Sequence, residues 1–419
     1  MKRSATLMLV VFCVLLGAAW AHTESVLYSF CSQSNCTDGS TPYAGLVFDQ
    51  RGNLYGTTDY GGANGSGVVF ELSPAGEETV LHSFCTQTNC TDGAEPVAGL
   101  VIDQSGNLYG TTYYGGRVDS SSCLSGRTGC GVVFKVTPEG EETVLHSFCA
   151  ENNCTDGELP LAGLVFDQKG NLYGTTDAGG AHGYGVVFRL TSEGKQTVLY
   201  SFCARGGSSC TDGRHPSAGL VLDRRGNLYG TTEYGGLYGS GVVFKLTLEG
   251  KQTVLYSFCG HNPPYCTDGA NPMAAVVLDQ KGNLYGTTYF GGTYGFGLVF
   301  KLSPKGKETV PYSFCTHDPP FCTDGRNPMA GLVFDEKGNL YGTTAYGSHT
   351  GGVVFKLTPK GKETVLYSFC AQTNCTDGAE PVAGLVIDQK GNLYGTTYAG
   401  GTSSTCNGYG CGVVFKLTP

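Results

Sequence analysis

The heptapeptide Gly-Asn-Leu-Tyr-Gly-Thr-Thr occurs seven times in this chain of 419 residues without a substitution. Successive copies are separated by 54, 64, 56, 56, 56 and 53 residues. A repeat of this period indicates one supersecondary unit that buries its apolar surface against its neighbours. Because all copies are identical, we expect the motif to support the fold rather than to carry out chemistry. The copies begin at Gly52, Gly106, Gly170, Gly226, Gly282, Gly338 and Gly391.

Each unit is predicted to form four short antiparallel strands in an up-and-down meander. In the third unit the strands are expected over residues 162–167, 172–176, 186–191 and 196–202, because these runs are rich in β-branched and aromatic residues. Between the first two strands, Asp167 is placed to hydrogen-bond the turn backbone and Gly170 to take a positive φ. No helical periodicity interrupts this plan.

The inner strands carry apolar residues on both faces, as in the consecutive run Leu164, Val165 and Phe166. Sheets of this kind must be covered on both sides, and four-stranded sheets packed in series are typical of a β-propeller. An open β-solenoid is the alternative. The seventh unit stops after its third strand, and the missing fourth strand occurs alone at residues 25–30. We therefore predict an all-β, seven-bladed propeller in which the N-terminal strand completes the last blade.

The start of the chain is typical of a secretory signal peptide, with basic Lys2 and Arg3, an apolar run and the small-residue motif Ala19-Trp20-Ala21. Residues 1–21 are thus predicted to be a leader, and residues 22–419 a single propeller that is secreted or periplasmic. Removal of the leader, which contains Lys2 and Arg3, changes the formal net charge from −9 to −11. This negative charge disfavours nucleic acid as a partner. We expect no membrane span, no cofactor and a monomer.

Apart from Cys13, the cysteines fall into nine close pairs, which in an exported chain indicate disulfides. Closing one six-residue loop contributes roughly 2 kcal/mol to stability. Zinc is the alternative, but each loop supplies only two thiols and lacks the C-x2-C spacing. The pairs are Cys31/Cys36, Cys85/Cys90, Cys123/Cys130, Cys149/Cys154, Cys203/Cys210, Cys259/Cys266, Cys315/Cys322, Cys370/Cys375 and Cys406/Cys411.

The repeated pattern Gly-Leu-Val-x-Asp-x-x-Gly-Asn-Leu-Tyr-Gly-Thr-Thr, followed by Gly-Gly, Gly-Val-Val-Phe-x-Leu and Thr-Val-Leu-Tyr-Ser-Phe, resembles the bacterial GloVer tandem-repeat family. More loosely, Asp-x-x-Gly-Asn-Leu-Tyr is similar to the strand-turn-strand of NHL-type propellers. The resemblance covers all seven copies and implies an exported bacterial protein with a propeller fold. It does not imply a catalytic mechanism. The cysteine pairs depart from the family pattern, and no anchoring segment follows Pro419, so free secretion or periplasmic residence is expected over surface attachment.

Meander topology sends the loops between strands two and three, and the loops between blades, to one face of the ring. These loops contain all the cysteine pairs and most differences between repeats, so this face is the candidate functional surface. Aromatic residues after each Thr-Thr are candidates for stacking on a sugar or peptide, although packing between loops would equally explain them. They are Tyr60, Tyr113, Tyr114, Tyr234, Tyr289, Phe290, Tyr346 and Tyr398, with Tyr184, Tyr238, Tyr294, Phe296 and Tyr409 nearby.

A second candidate is the position just before the loop proline, where the repeats differ in charge and size. Polar ligand binding and unselected surface variation both account for this asymmetry. Its residues are Thr41, Glu95, Leu159, His215, Asn271, Asn327 and Glu380, preceded by Ser40, Ala94, Glu158, Arg214, Ala270, Arg326 and Ala379.

Histidines and aspartates on the same face raise the question of a metal. His182, His215, His261, His317 and His349 come from different repeats with no ligand spacing, so solvated side chains are the favoured interpretation. The aspartate of each Cys-Thr-Asp-Gly could bind calcium, but turn formation is favoured. No metal site is predicted. Asn-Cys-Thr also matches a glycosylation sequon in four copies.

Three hypotheses of function follow. The first is an exported scaffold that binds a glycan or a protein through the loop face. Its expected contacts are the eight aromatic residues that follow the Thr-Thr pairs, together with Glu95, Arg214, His215, Arg326 and Glu380. The second is a propeller enzyme, such as a lyase, lactonase or glycosidase, with its site at the mouth of the central channel. The third is a purely structural exported protein. No nucleophile elbow, phosphate loop or metalloprotease signature supports the second hypothesis.

Overall fold

Seven sheets of four antiparallel strands make up the structure, and six of them consist of four strands that are consecutive in the chain. The computed structural model describes residues 23–117, 123, 129–347, 351–406 and 408–418. The predicted leader and His349 lie outside these residues. The architecture is a closed seven-bladed β-propeller, as the sequence predicts.

Each blade runs from a two-residue inner strand to a six- or seven-residue outer strand. The strands are β1 (Thr23–Ser29), β2 (Val47–Phe48), β3 (Leu54–Thr58), β4 (Val68–Leu72), β5 (Glu78–Ser83), β6 (Val101–Ile102), β7 (Leu108–Thr112), β8 (Val132–Val136), β9 (Glu142–Ser147), β10 (Val165–Phe166), β11 (Leu172–Thr176), β12 (Val186–Leu190), β13 (Gln196–Ser201), β14 (Val221–Leu222), β15 (Leu228–Thr232), β16 (Val242–Leu246), β17 (Gln252–Ser257), β18 (Val277–Leu278), β19 (Leu284–Thr288), β20 (Leu298–Leu302), β21 (Glu308–Ser313), β22 (Val333–Phe334), β23 (Leu340–Thr344), β24 (Val353–Leu357), β25 (Glu363–Ser368), β26 (Val386–Ile387), β27 (Leu393–Thr397) and β28 (Val413–Thr418). Blade 1 is β2–β5, blades 2 to 6 follow in order, and blade 7 is β26–β28 with β1.

The two ends of the described chain close the ring. β1 pairs antiparallel with β28, from Thr23 opposite Thr418 to Ser29 opposite Val413, with a bulge between Val26 and Tyr28. The predicted closing strand is therefore present, although it begins at Thr23 rather than at Ser25. Closure leaves no terminal blade with an open edge.

Phenylalanine pairs fill the interfaces between neighbouring blades. Phe70 on β4 meets Phe30, which follows β1 of the preceding blade, edge to face at 5.1 Å, and neither ring is exposed. The arrangement recurs at all seven interfaces with ring separations of 4.9–5.1 Å, a geometry that the ring quadrupoles favour. These contacts explain why the third strand is apolar on both faces.

The invariant heptapeptide first builds the turn between the inner two strands. Asp49 accepts hydrogen bonds from the Asn53 backbone N–H (2.9 Å), the Asn53 side-chain amide (3.0 Å) and the Tyr55 hydroxyl (3.3 Å). Gly52 takes a φ of +88°, which other residues adopt at a cost. Asparagine, tyrosine and glycine are thus each needed by the turn itself.

The remaining residues of the heptapeptide serve packing. A Cβ on Gly56 would lie 2.7 Å from the Phe70 ring, so only glycine leaves room for the interface phenylalanine. Thr57 donates its hydroxyl to the Ala98 carbonyl of the next blade at 3.1 Å, and Leu54 is buried. The expectation that the motif supports the fold agrees with these contacts.

The strands are shorter than predicted near the central channel. In blade 3 the inner strand spans Val165–Phe166 rather than residues 162–167, and the third and fourth strands end one residue early. Close approach of the inner segments is the reason, since a Cβ on Gly163 would lie 3.0 Å from the Gly99 carbonyl oxygen. The sequence also did not predict short 3-10 turns in five cysteine loops, at Ser34–Cys36, Thr88–Cys90, Asn152–Cys154, Gly207–Ser209 and Thr373–Cys375.

Candidate functional site

Loops from adjacent parts of the chain assemble into one continuous loop face. In blade 1, Ser40 of the incoming cysteine loop forms an antiparallel bridge with Tyr60 of the loop between β3 and β4. The Gly62 N–H also donates to the Cys36 carbonyl at 2.9 Å. An equivalent bridge occurs in every blade, so both loop types are fixed to each other by backbone hydrogen bonds.

All nine predicted cysteine pairs are disulfides in the structure. Seven close the loops between blades, and two close the loops between the second and third strands of blades 2 and 7. Disulfides in this number are typical of an oxidising, extracytoplasmic environment. Among the described residues, no helix is both long and apolar enough to cross a bilayer.

Several of these cysteines are buried beneath the loops that they close. Cys210 is bonded to Cys203 and Cys322 to Cys315 as predicted, but Cys210 and Cys322 are both completely buried. Both residues have a left-handed backbone, with φ of +45° and +52°. Cys210 and Cys322 therefore support the loop face from inside and offer no contact to a ligand.

The sulfur atoms of these two residues pack against their own loops. Cys210 Sγ lies 3.9 Å from the Ser208 carbonyl oxygen, and Cys322 Sγ lies 3.4 Å from the Pro320 carbonyl oxygen. A sulfur in a disulfide carries no hydrogen, so these are packing contacts rather than hydrogen bonds. The cysteines thus act as scaffold, and the variable residues between them reach the surface.

The aspartate of each Cys-Thr-Asp-Gly holds its own cysteine loop. Asp38 is buried and accepts hydrogen bonds from the backbone N–H groups of Ser32 (2.8 Å) and Gln33 (3.3 Å) and from the Tyr28 hydroxyl (2.8 Å). The same pattern of backbone donors recurs at the six equivalent aspartates. A loop-forming role accounts for this residue, as the sequence favoured over calcium binding.

The residue before each loop proline has an unusual backbone conformation. All seven have φ between +52° and +57°, although none is glycine, and the left-handed region is disfavoured both for such residues and before proline. We call these residues the clamped ring. They are Thr41, Glu95, Leu159, His215, Asn271, Asn327 and Glu380.

Hydrogen bonds on both sides hold each clamped residue. The Glu95 N–H donates to the Ser66 carbonyl of the preceding blade at 2.9 Å, and the Glu95 carbonyl accepts from the Tyr113 N–H at 2.9 Å. Equivalent bonds are present at every member of the ring. The backbone is therefore the same in seven places while the side chain differs, which is how a rigid scaffold presents variable contacts.

The residues that donate to the clamped ring form a second circle, which we call the partner ring. It consists of Asp59, Tyr113, Asp177, Glu233, Tyr289, Ala345 and Tyr398. Of these residues, only the three tyrosines are among the predicted contacts, and the acidic members Asp59, Asp177 and Glu233 are not. Their signal was present, because all seven follow the Thr-Thr of the heptapeptide directly.

Both rings surround the mouth of the central channel on the loop face. The channel is narrow. Its cavity has a volume of about 210 Å³, and Tyr43, Ser217 and Met329 are among the residues that line it. The pKa of Tyr43 is raised mainly by burial and, to a smaller extent, by the negative charge of the nearby Asp59. The Tyr43 ring contacts the Tyr398 ring edge to face, with 6.0 Å between their centres. Tyr43, which is not among the predicted contacts, is thus part of the mouth.

The densest cluster at the mouth lies between blades 3 and 4. His215 Nδ1 is 3.4 Å from a carboxylate oxygen of Asp177, and both side chains are partly exposed. This hydrogen bond raises the pKa of His215, while burial and Arg214 oppose the shift. The imidazole also meets Tyr184 and Tyr234 edge to face at 5.7 and 5.9 Å.

Arginines in this cluster and at one equivalent position lie between pairs of aromatic rings. The Arg214 guanidinium is 5.8 Å from the Tyr184 ring and 5.7 Å from the Tyr234 ring. Two blades further on, Arg326 lies 5.5 Å from Tyr346. Cation–π contacts of this kind order the arginine side chains. The predicted candidates Tyr234 and Tyr346 therefore contact their own loops as well as solvent.

The other predicted contacts are distributed around the face. Tyr113 packs edge to face on Tyr114 at 4.4 Å, and Tyr60 is 40 % exposed. Burial raises the pKa of Glu380. Phe290 is half exposed but lies further out, in blade 5. The predicted residues thus share one face, although only some of them meet at the mouth.

The described histidines do not come together as a metal site. His261 and His317 are each about two-thirds exposed beside the aspartate of their own cysteine loop. Among the described residues, the groups of three potential ligands contain cysteines that are already joined in disulfides.

Fold and loop face together define a closed β-propeller that presents variable side chains on a repeated backbone. The Gloeobacter/Verrucomicrobia repeat matches residues 18–122, 121–322 and 265–419, and the chain belongs to this family of repeat proteins. The resemblance noted from the heptapeptide is confirmed. Among curated proteins, none matches the sequence significantly.

Several solved structures resemble the chain at low sequence identity. A protein assigned as a 6-phosphogluconolactonase from Bacteroides uniformis is 15% identical, with a TM-score of 0.49 over 84% of this chain and 88% of that one. Puromycin hydrolase is 13% identical, with a TM-score of 0.49 over 85% of this chain and 50% of that one. A protein assigned as a gluconolactonase is 12% identical, with a TM-score of 0.41 over 95% and 92%.

Proposed function

We propose that this protein is an exported binding propeller, which engages a glycan or a protein through the mouth of its loop face. The observation that carries the proposal is the clamped ring, in which one left-handed backbone conformation is repeated seven times with side chains of five different types. Clamping reduces the conformational entropy that binding must otherwise remove. The predicted leader at residues 1–21, with the disulfides, supports secretion or periplasmic residence, and we expect the protein to be a monomer.

The chemistry of the mouth favours a ligand rich in hydroxyl or amide donors. Glu95, Glu380 and the partner-ring carboxylates Asp59, Asp177 and Glu233 offer acceptors, and Tyr113 and Tyr398 offer ring faces with hydroxyl groups. Arg214 and Arg326 supply donors at the periphery. A saccharide uses all three kinds of contact at once.

A glycan array followed by titration calorimetry tests the proposal. Glu95→Ala and His215→Ala should each weaken binding of an identified ligand roughly tenfold, because clamped side chains contribute like interface hot spots. Glu336→Ala, on an exposed turn of the opposite face, is the matched control and should bind like the parent protein. If Glu95→Ala and His215→Ala bind any identified ligand as the control does, the mouth is not its site.

An enzyme remains the second candidate because of one specific observation, the 3.4 Å contact between His215 and Asp177. An imidazole oriented by a carboxylate is a common general acid or base. The two candidates separate in a turnover assay on ligands that the array identifies. Product formation that His215→Gln abolishes while binding persists would establish catalysis, and unchanged ligand would support binding alone.

A further inference from the structure

Blade 5 carries a second cavity on the loop face, outside the mouth. It has a volume of about 490 Å³ and lies between the cysteine loop of Cys259–Cys266 and the loop joining β19 to β20. Tyr265, Phe290 and Tyr294 line it and are 71, 49 and 47% exposed. Its volume lies in the usual range for small-ligand sites. We call it the blade-5 pocket.

The walls of the blade-5 pocket are held together by backbone hydrogen bonds. Ala270 and Phe290 exchange two bonds of 3.0 and 3.1 Å, and the Gly292 N–H donates to the Cys266 carbonyl at 3.0 Å. The Tyr265 N–H donates to the Asn262 carbonyl at 2.9 Å within the cysteine loop. The backbone that carries the aromatic side chains is therefore fixed, which reduces the ordering that a ligand must impose on binding.

The corresponding cavity of blade 3 shows that the pocket is a repeated architecture with variable chemistry. That cavity has a volume of about 430 Å³ and is lined by Asn153, Glu158 and His182. In the repeat these residues stand where blade 5 has Tyr265, Ala270 and Tyr294. Blade 5 thus replaces two polar groups by aromatic rings and removes a carboxylate.

The lining of the blade-5 pocket selects a neutral ligand with one apolar face. None of its described lining residues is charged, and the polar groups are hydroxyls and an amide, including Ser240, Asn271 and Thr293. Exposed aromatic rings of this number are uncommon in a protein surface and mark binding sites. A pyranose ring has the matching chemistry, with C–H groups on one face and hydroxyls around its edge.

We propose that the blade-5 pocket binds a neutral pyranose of an oligosaccharide, which stacks on Tyr265 and Tyr294. Ser240, Asn271 and Thr293 lie along the pocket and hydrogen-bond the sugar hydroxyls. The site goes beyond the proposed function of the mouth, with which it shares only Asn271. An extended sugar chain would lie along the rim of the loop face at this blade.

A pair of tryptophan reporters tests the proposal. Trp20 is the only tryptophan in the sequence, so Tyr265→Trp places a new fluorophore in the pocket and Asn153→Trp places one at the matched position of blade 3. Neutral hexasaccharides of glucose, mannose, xylose and N-acetylglucosamine are titrated at millimolar concentrations. We expect at least one to change the emission of Tyr265→Trp but not that of Asn153→Trp. No response, or equal responses in both variants, would overturn the proposal.

Calorimetry with the responding sugar then assigns the contacts. Tyr294→Ala should weaken binding roughly tenfold and Tyr294→Phe much less, because the ring provides the stacking surface. His182→Ala, the matched change in blade 3, and Glu336→Ala on the turn face should leave the affinity unchanged. Thermal unfolding of each variant checks the fold. A proline-rich peptide that bound the pocket more tightly than any of the sugars would also contradict a saccharide site.

Discussion

The two faces of the ring use the same sevenfold backbone for opposite purposes. On the turn face, Asp335 accepts hydrogen bonds from Asn339 and Tyr341 as its equivalents do in every blade. On the loop face, the backbone of the clamped ring is repeated equally well, but its side chains range from leucine to histidine. Identical side chains indicate scaffold, and different side chains on an identical backbone are the basis of the proposed contacts.

Carboxyl groups show the same contrast in their electrostatics. On the turn face burial favours a higher pKa, but hydrogen bonds from Asn339 and its neighbours hold the pKa of Asp335 below its ordinary value. On the outer strands, the pKa of Glu78 is raised to about 7, mainly by burial and to a smaller extent by the negative charge of Asp38. The first kind of carboxyl supports the fold when ionised, and the second kind when protonated.

The largest effect is expected from removing the closing strand, which would break both faces together. Deletion of Thr23–Ser29 leaves β28 with an unpaired edge and should lower the free energy of unfolding by at least about 5 kcal/mol, since packing and strand pairing are lost together. Calorimetric melting measures the change. Replacing the segment by residues 77–83, its equivalent in blade 1, should restore stability. An unchanged melting temperature after deletion would contradict closure of the ring.

A turn-face substitution separates the two faces. Asp335→Ala leaves Asn339 and Tyr341 without their acceptor and should cost about 2–3 kcal/mol in urea unfolding. The adjacent Glu336→Ala, at an exposed position of the same turn, should change stability by less than about 0.5 kcal/mol. Equal effects of the two substitutions would show that the repeated aspartate is not structural.

Much of the fold was accessible from the sequence because its determinants are local and repeated. The heptapeptide forms a turn, leaves room at its second glycine for an interface phenylalanine such as Phe70, and donates a threonine hydrogen bond to the next blade. Its recurrence therefore predicts the number of blades. The displaced fourth strand at the N-terminus predicts closure. Neither inference needs distances between residues far apart in the chain.

The candidate site was less accessible because it depends on tertiary geometry. Glu95 and Leu159 have no local signal for a positive φ, which arises only from clamping between two blades. Burial of Cys210 and exposure of Tyr265 depend on how each cysteine loop rests on the neighbouring blade, which spacing alone does not reveal. The inner strands were predicted too long for a related reason, since the width of the channel limits them.

The outer-strand glutamates, unlike the turn-face aspartates, should make the stability of the protein depend on pH near neutrality. In two blades Gln196 and Gln252 donate their side-chain amides to the carbonyls of Asp156 and Asp212, at 3.0 and 3.1 Å. Five blades carry glutamate there, and each has one buried carboxyl oxygen without a hydrogen-bond partner. A protonated glutamate carries an O–H donor at the position where glutamine has its amide N–H donor. The five are Glu24, Glu78, Glu142, Glu308 and Glu363.

The pKa of each of these glutamates is about 7, with burial as the first cause, against an ordinary value of 4.5. A raised pKa of an acid gives stability that is fully present below pH 4.5 and is lost as the pH rises through 7. Because these groups are partly solvated, each contributes only about 1 kcal/mol. Unfolding free energies measured from pH 4.5 to 8 should fall in the parent protein. A variant with all five glutamates changed to glutamine should show a flatter profile, and an identical slope would contradict the assignment.

The smallest effect on stability is expected at the mouth, and it tests the comparison most directly. His215→Ala removes one partly exposed ion pair with Asp177, which is worth about 1 kcal/mol or less. Arg326→Ala removes cation–π contacts of similar size. If the mouth is a contact surface, urea unfolding should change little in either variant while ligand binding falls. A loss of stability as large as that of Asp335→Ala, without a change in binding, would instead make the loop face a second scaffold.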